Sequence, residues 1–195
     1  MTDTIELLRP VLDDLAVVVD GTAGHDADPT PCTELDVAAL RHHVASWLIT
    51  FADGYADPVG RARPSGAEVP EGVEADGATV RAATERLDDA VRAGAADRPL
   101  QLGENAMPGQ VALSMILWEY LVHGWDLAAA TGAPWHPADE ASEVALAFAP
   151  GMLTEDYQGH GKPFGPRVAV PDDAPPLDRL LGLSGRDPGW TPPGR

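Results

Sequence analysis

The chain has 195 residues, with 13 Lys and Arg against 31 Asp and Glu, giving a formal charge of −18. That balance excludes the basic surface that nucleic acids and anionic membranes require. A single cysteine, Cys32, excludes an intrachain disulfide and a Cys-rich zinc module.

Length predicts one domain, with a bundle over 1–149 and an extension over 150–195. The longest apolar stretch, Val111 to Val122, is interrupted by Ser114, Glu119 and Tyr120 and is too short to span a bilayer. The first residues are acidic and lack the basic and apolar regions of a signal peptide, so the expected compartment is the cytoplasm.

A first helix is expected over 3–23, where Ile5, Leu8, Leu12, Leu15 and Val19 fall at helical spacing. Pro10 predicts a kink in it or a later start. After a loop, Thr33 is the expected N-cap of a second helix running to Ala56, with Asp36 at its N3 position. Residues 57–75, rich in Pro, Gly and Glu, read as an exposed loop. A polar, Ala-rich third helix is expected over 76–95, then a short extended piece over Pro99–Leu102. A fourth helix begins at Pro108 and stops at Thr131, before Gly132. A fifth is expected over 137–148. Beyond Pro150 the only helical period is Leu177–Leu183. These elements predict an all-α antiparallel four-helix bundle with a short extra helix and an irregular C-terminal wrap.

The fourth helix is apolar nearly all round, so it is expected to be buried. Yet Glu119, His123 and Asp126 share a wedge about 60° wide on its wheel. Glu119 and His123 stand four apart, about 5–6 Å between Cβ atoms. A carboxylate buried there must be paired, protonated or bound to a metal. On the second helix, Val44, Trp47, Leu48 and Phe51 cluster around Leu40, and His43 lies at the edge of that core face, with His42 opposite. His43, Glu119 and His123 are therefore a candidate metal-ligating triad from facing helices. The competing reading is a satisfied Glu119–His123 ion pair. Two histidines and a carboxylate suit a first-row divalent metal, as in open zinc sites or ferrous facial triads. Asp126 either orients the imidazole of His123 or is a surface or capping carboxylate.

Three segments carry a family resemblance: Thr30-Pro-Cys-Thr-Glu-Leu-Asp-Val37 with Leu40 and His43; Trp118-Glu-Tyr-Leu-Val-His-Gly-Trp-Asp-Leu-Ala128; and the tail from Val170 to Pro188 with Trp190. With them the chain resembles the DinB-like, mycothiol-dependent maleylpyruvate isomerase metal-binding superfamily, in its short single-domain actinobacterial branch. The resemblance implies a four-helix bundle and a divalent metal on His43, Glu119 and His123. Zinc is first among the metals, with nickel or iron as alternatives. It further implies mycothiol as co-substrate in isomerisation or S-transfer to a small electrophile. Leu35 departs from the family, which usually has Trp there. The isomerase also carries an additional C-terminal domain, and the 45 residues after Pro150 are too few for one.

The expected function is thus a metal-dependent thiol transferase or isomerase. The alternative is a non-catalytic metal- or small-molecule-binding bundle. Cys32 near a helix start has either a thiol acidified by the helix dipole or, the favoured reading, the role of a small buried hydrophobe. His160, on a Gly-rich loop, either reaches an open site or, the favoured reading, is a surface histidine; His25 and His136 read as loop residues. Leu35 and Ile49, on the outer side of the second helix, suggest a homodimer contact. No P-loop, dinucleotide fingerprint, nucleophile elbow or H-E-x-x-H motif is present.

Overall fold

The computed structural model describes residues 3–62, 69–162 and 164–193. Six α-helices dominate it: α1 (Thr4–Asp20), α2 (Val37–Ala56), α3 (Gly77–Arg92), α4 (Gly109–Thr131), α5 (Asp139–Phe148) and α6 (Pro176–Leu183). The single sheet among the described residues is a hairpin of β1 (Leu100–Leu102) and β2 (Asn105–Met107), registered Leu100 to Met107. The fold is all-α, as expected.

Helices α1 to α4 form a ring in which α1 and α2 each pack between α3 and α4. The α2–α4 seam is the most open of the four. Helix α5 packs on α4 and α6 on α5, so the tail wraps the α4 side. The core runs through the ring, built from Leu8, Leu12 and Leu15 of α1, Leu40 and Leu48 of α2, Leu87 of α3, and Leu113, Ile116 and Leu117 of α4.

Local chemistry sets the helix ends. Asp3 caps α1, which continues through Pro10 with that ring on the solvent side. The expected later start therefore does not occur. The cap of α2 is Asp36, not Thr33. The Asp36 carboxylate accepts from the Ala39 N–H at 2.8 Å, while Thr33 sits exposed in the preceding turn. The spacing suited either residue. An antiparallel bridge between Pro29 and Asp36 closes a loop that holds Thr33 out of helical register. Asp76 caps α3 in the same way, accepting from Thr79 at 2.8 Å. Helix α4 ends where Gly132 turns left-handed at φ 78°, a conformation open to glycine without a Cβ penalty.

Other expectations fare differently. Residues 63–68 of the expected 57–75 loop lie outside the described residues, and the described flanks are not helical. Leu35 and Ile49 are half-buried and pack against the core. Among the described residues, no helix is long and apolar enough to cross a membrane.

Candidate metal and substrate site

The open α2–α4 seam holds a cavity of about 290 Å³. It is lined by His43, Val44, Trp47 and Phe51 from α2, Leu102 from β1, and Met115, Glu119, Tyr120 and His123 from α4. The wheels therefore placed three side chains that the fold brings to one cavity. The His43 and His123 rings meet edge to face with centroids 5.1 Å apart. His123 Nε2 lies 3.3 Å from a Glu119 oxygen, and its Nδ1 lies 3.1 Å from Asp126 Oδ2. Each of these residues is carried by a helix, so its direction is fixed by packing.

Burial differs sharply along this line. Glu119 keeps 25% of its side chain exposed through the cavity mouth, whereas Asp126 is 0% exposed. The expectation that Glu119 is too buried to be solvated is thus corrected: the desolvated carboxylate is Asp126. Its charge is met by Arg186 from the tail, whose Nε and Nη2 donate to the two Asp126 oxygens at 3.3 and 3.0 Å. The alternative of Asp126 as a surface or capping carboxylate falls with this.

The tail is itself anchored. Arg186 Nη1 donates to the Ser184 carbonyl at 3.1 Å, and the Trp118 indole N–H donates to the Ser184 hydroxyl at 2.9 Å. Phe164 stacks on Trp118 at 4.9 Å. Periodicity did not single out Arg186. It lies in an irregular segment beyond α6, and the signal was only the family-like tail around it.

The histidines are held in opposite states. Burial first, and then the positive field of His123, push His43 down to about 4. Burial opposes charge on His123 too, but the hydrogen bonds to Asp126 and Glu119 outweigh it and lift the ring to about 9. His43 is therefore neutral with a free lone pair at pH 7. His123 is an imidazolium between two carboxylates.

Cys32 is closer to this chemistry than a structural hydrophobe would be. In the loop before α2, the Thr30 hydroxyl bonds the carbonyls of Cys32 and Leu35 at 3.0 and 2.7 Å. This turn presents Cys32 to α4. Its Sγ, a ring nitrogen of His123 and an Asp126 oxygen lie within 4.8 Å of one another. The acidified thiol does not follow, however: burial raises the Cys32 pKa, and the Arg186 charge only partly opposes it. The remaining histidines stand apart from the cavity: His42, His136 and His160 are exposed, and His25 pairs with Asp28 at 2.7 Å.

Residues 8–128 match the family described as the mycothiol maleylpyruvate isomerase N-terminal domain. The chain belongs to that family. It is also 32% identical over 174 residues to an uncharacterised protein found in two strains of Mycobacterium tuberculosis, covering 88% of this chain and 90% of the relative. No solved structure matches the chain. The family match stops at residue 128, so it includes His43, Glu119, His123 and Asp126 and leaves out Arg186.

Proposed function

We propose that the protein is a metal-dependent enzyme that transfers or rearranges a low-molecular-weight thiol of the mycothiol type on a small electrophile. The observation that carries this is the convergence of His43, Glu119 and His123 at one end of an apolar cavity, with Asp126 hydrogen-bonded behind His123. Membership of the mycothiol-associated family supports it.

The donor set fits a divalent ion. His43 is already neutral, as a nitrogen ligand must be, whereas His123 would have to give up the proton it holds between Glu119 and Asp126 before its Nε2 could ligate. The Asp126 bond to Nδ1 fixes the His123 ring so that Nε2 faces Glu119 and the cavity. Glu119 supplies a carboxylate oxygen of the kind found beside two histidines in zinc, iron and nickel sites. A bound ion of this type would deprotonate a coordinating thiol, making it a nucleophile at neutral pH. The residues around it do the rest: Arg186 holds Asp126, Asp126 holds the His123 ring, and α2 and α4 supply apolar walls.

A second reading takes Cys32, His123 and Asp126 as the ligands, because their atoms also cluster. Arg186 argues against it, since its guanidinium occupies both Asp126 oxygens and places a positive charge where a cation would sit. The non-catalytic alternative remains a metal-binding bundle without thiol chemistry.

The test is elemental analysis of protein purified without a histidine tag, for the wild type and for His43→Ala, Glu119→Ala and Cys32→Ser. Stoichiometric metal in wild type and Cys32→Ser, lost in the other two, is the expected pattern. Full retention in both alanine variants removes the site, and loss only in Cys32→Ser transfers it to the second set. A mycothiol transfer assay with a chromogenic electrophile then separates enzyme from binding module.

A further inference from the structure

The polar side chains crowd one end of the cavity, and the remainder is apolar. We propose that the electrophile taken here is an uncharged, apolar molecule, flat enough to lie against Trp47, and not a carboxylate. This rests on the proposed function for the reacting end and on separate observations for the rest.

Apart from the three polar groups at its end, the cavity wall is Val44, Trp47, Phe51, Leu102, Met115 and Tyr120. The one hydroxyl among them is turned away, because Tyr120 donates to the Val44 carbonyl at 3.0 Å. Trp47 is stacked on Phe51 at 5.5 Å, with planes 29° apart, and the His43 ring meets it edge-on at 6.4 Å. That arrangement offers a rigid aromatic wall leading to the reacting end. The volume of about 290 Å³ sits near the lower end, ~300 Å³, of small-molecule pockets.

Charge points the same way. Among the described residues, no Lys or Arg lines the cavity. The buried guanidinium of Arg186 is committed to Asp126 and does not reach it. The cation on the wall, the His123 imidazolium, is already paired with Glu119 and Asp126; Glu119 itself repels an anion, and the chain's charge of −18 adds to that at longer range. A dicarboxylate of the maleylpyruvate type has at most the proposed ion to meet one carboxylate. The other would be desolvated against Phe51 and Met115 without a partner, which is strongly unfavourable.

The probes are 2-naphthol, neutral at pH 7.5, and 2-naphthoate, its anionic counterpart. Each is titrated by calorimetry into the full chain, both chelator-treated and zinc-loaded, with zinc measured in the same samples. We expect 2-naphthol to bind at least about tenfold tighter than 2-naphthoate in the chelator-treated chain, and zinc, which can meet a single carboxylate, to narrow that margin in the loaded chain. Leu102→Trp, which fills the cavity, should abolish 2-naphthol binding. Met115→Arg, which adds a cation to the wall, should bring 2-naphthoate to equal or better affinity. Equal or tighter binding of 2-naphthoate by the chelator-treated wild type overturns the inference, as does absence of binding by both probes. Absence of zinc with 2-naphthol still preferred removes the metal reading and leaves this one standing. Zinc bound, with 2-naphthoate preferred by the chelator-treated chain, does the reverse.

Discussion

Replacing Arg186 by Met tests the link between the tail and the site most directly. The substitution keeps most of the side-chain volume and removes the charge. Asp126 is 0% exposed and Arg186 7%, and two charge-assisted bonds of 3.0 and 3.3 Å join them. Removing one partner of a buried pair costs about 3–5 kcal/mol, because the other charge is left desolvated. His123 remains 3.1 Å from Asp126 as a residual counter-charge, so the lower end, about 3 kcal/mol, is expected. For a chain of this length that lowers Tm by about 6–12 °C. Urea unfolding followed by far-UV circular dichroism measures it as a lower midpoint at unchanged slope. The double variant Arg186→Met with Asp126→Asn should lose less than the sum of the singles by about 1.5 kcal/mol or more. A loss under about 1 kcal/mol, or additive singles, would show that water reaches the pair and that the tail clamp is not a buried ion pair.

Four further outcomes are expected. In the metal-free protein, His43 titrates near 4 and His123 near 9, against about 6.5 for both in the unfolded chain. The His43 contribution to stability is then complete above about pH 6.5 and lost as pH falls towards 4, while that of His123 is complete below about 6.5 and lost as pH rises through 9. Urea midpoints should fall on both sides, the acid limb flattening in His43→Asn and the alkaline limb in His123→Gln; unchanged limbs would contradict the assignment. Zinc binding at pH 7.5 should release about one proton from His123, so calorimetric enthalpies should differ between buffers of different ionisation heat. Asp36→Ala should cost about 1 kcal/mol by losing the α2 cap, and Thr33→Ala should stay within about 0.5 kcal/mol; the opposite order would restore Thr33 as the cap. In Gly124→Ala the new methyl meets the Trp135 indole, so a loss of about 1–3 kcal/mol in urea unfolding is expected, and a neutral result would mean that Trp135 moves freely.

What was legible in the sequence followed helical periodicity. The wheels of α2 and α4 could bring His43, Glu119 and His123 to one seam because a helix fixes side-chain direction from spacing alone. Burial depth was less legible. The wedge treated Glu119 and Asp126 as alike, yet Glu119 opens on a cavity and Asp126 lies under the tail. That distinction depends on contacts from residue 186, which no local pattern encodes. The same holds for Cys32. Its loop has no period, and a Thr30 hydroxyl bonded to two carbonyls aims it at α4. The displaced cap of α2 has a similar origin, since Thr33 and Asp36 are locally equivalent and a bridge from Pro29 chooses between them.

The clamp between Asp126 and Arg186 spans 60 positions and crosses the edge of the matched family segment. A shift of either partner alone strands a charge, so the two sites should drift together through evolution. Relatives that lack an arginine in the tail should also lack the aspartate on α4, or should supply a cation from a different segment. The residue at position 186 of that tail would then tell more about the state of the buried histidine than its immediate neighbours in the chain do.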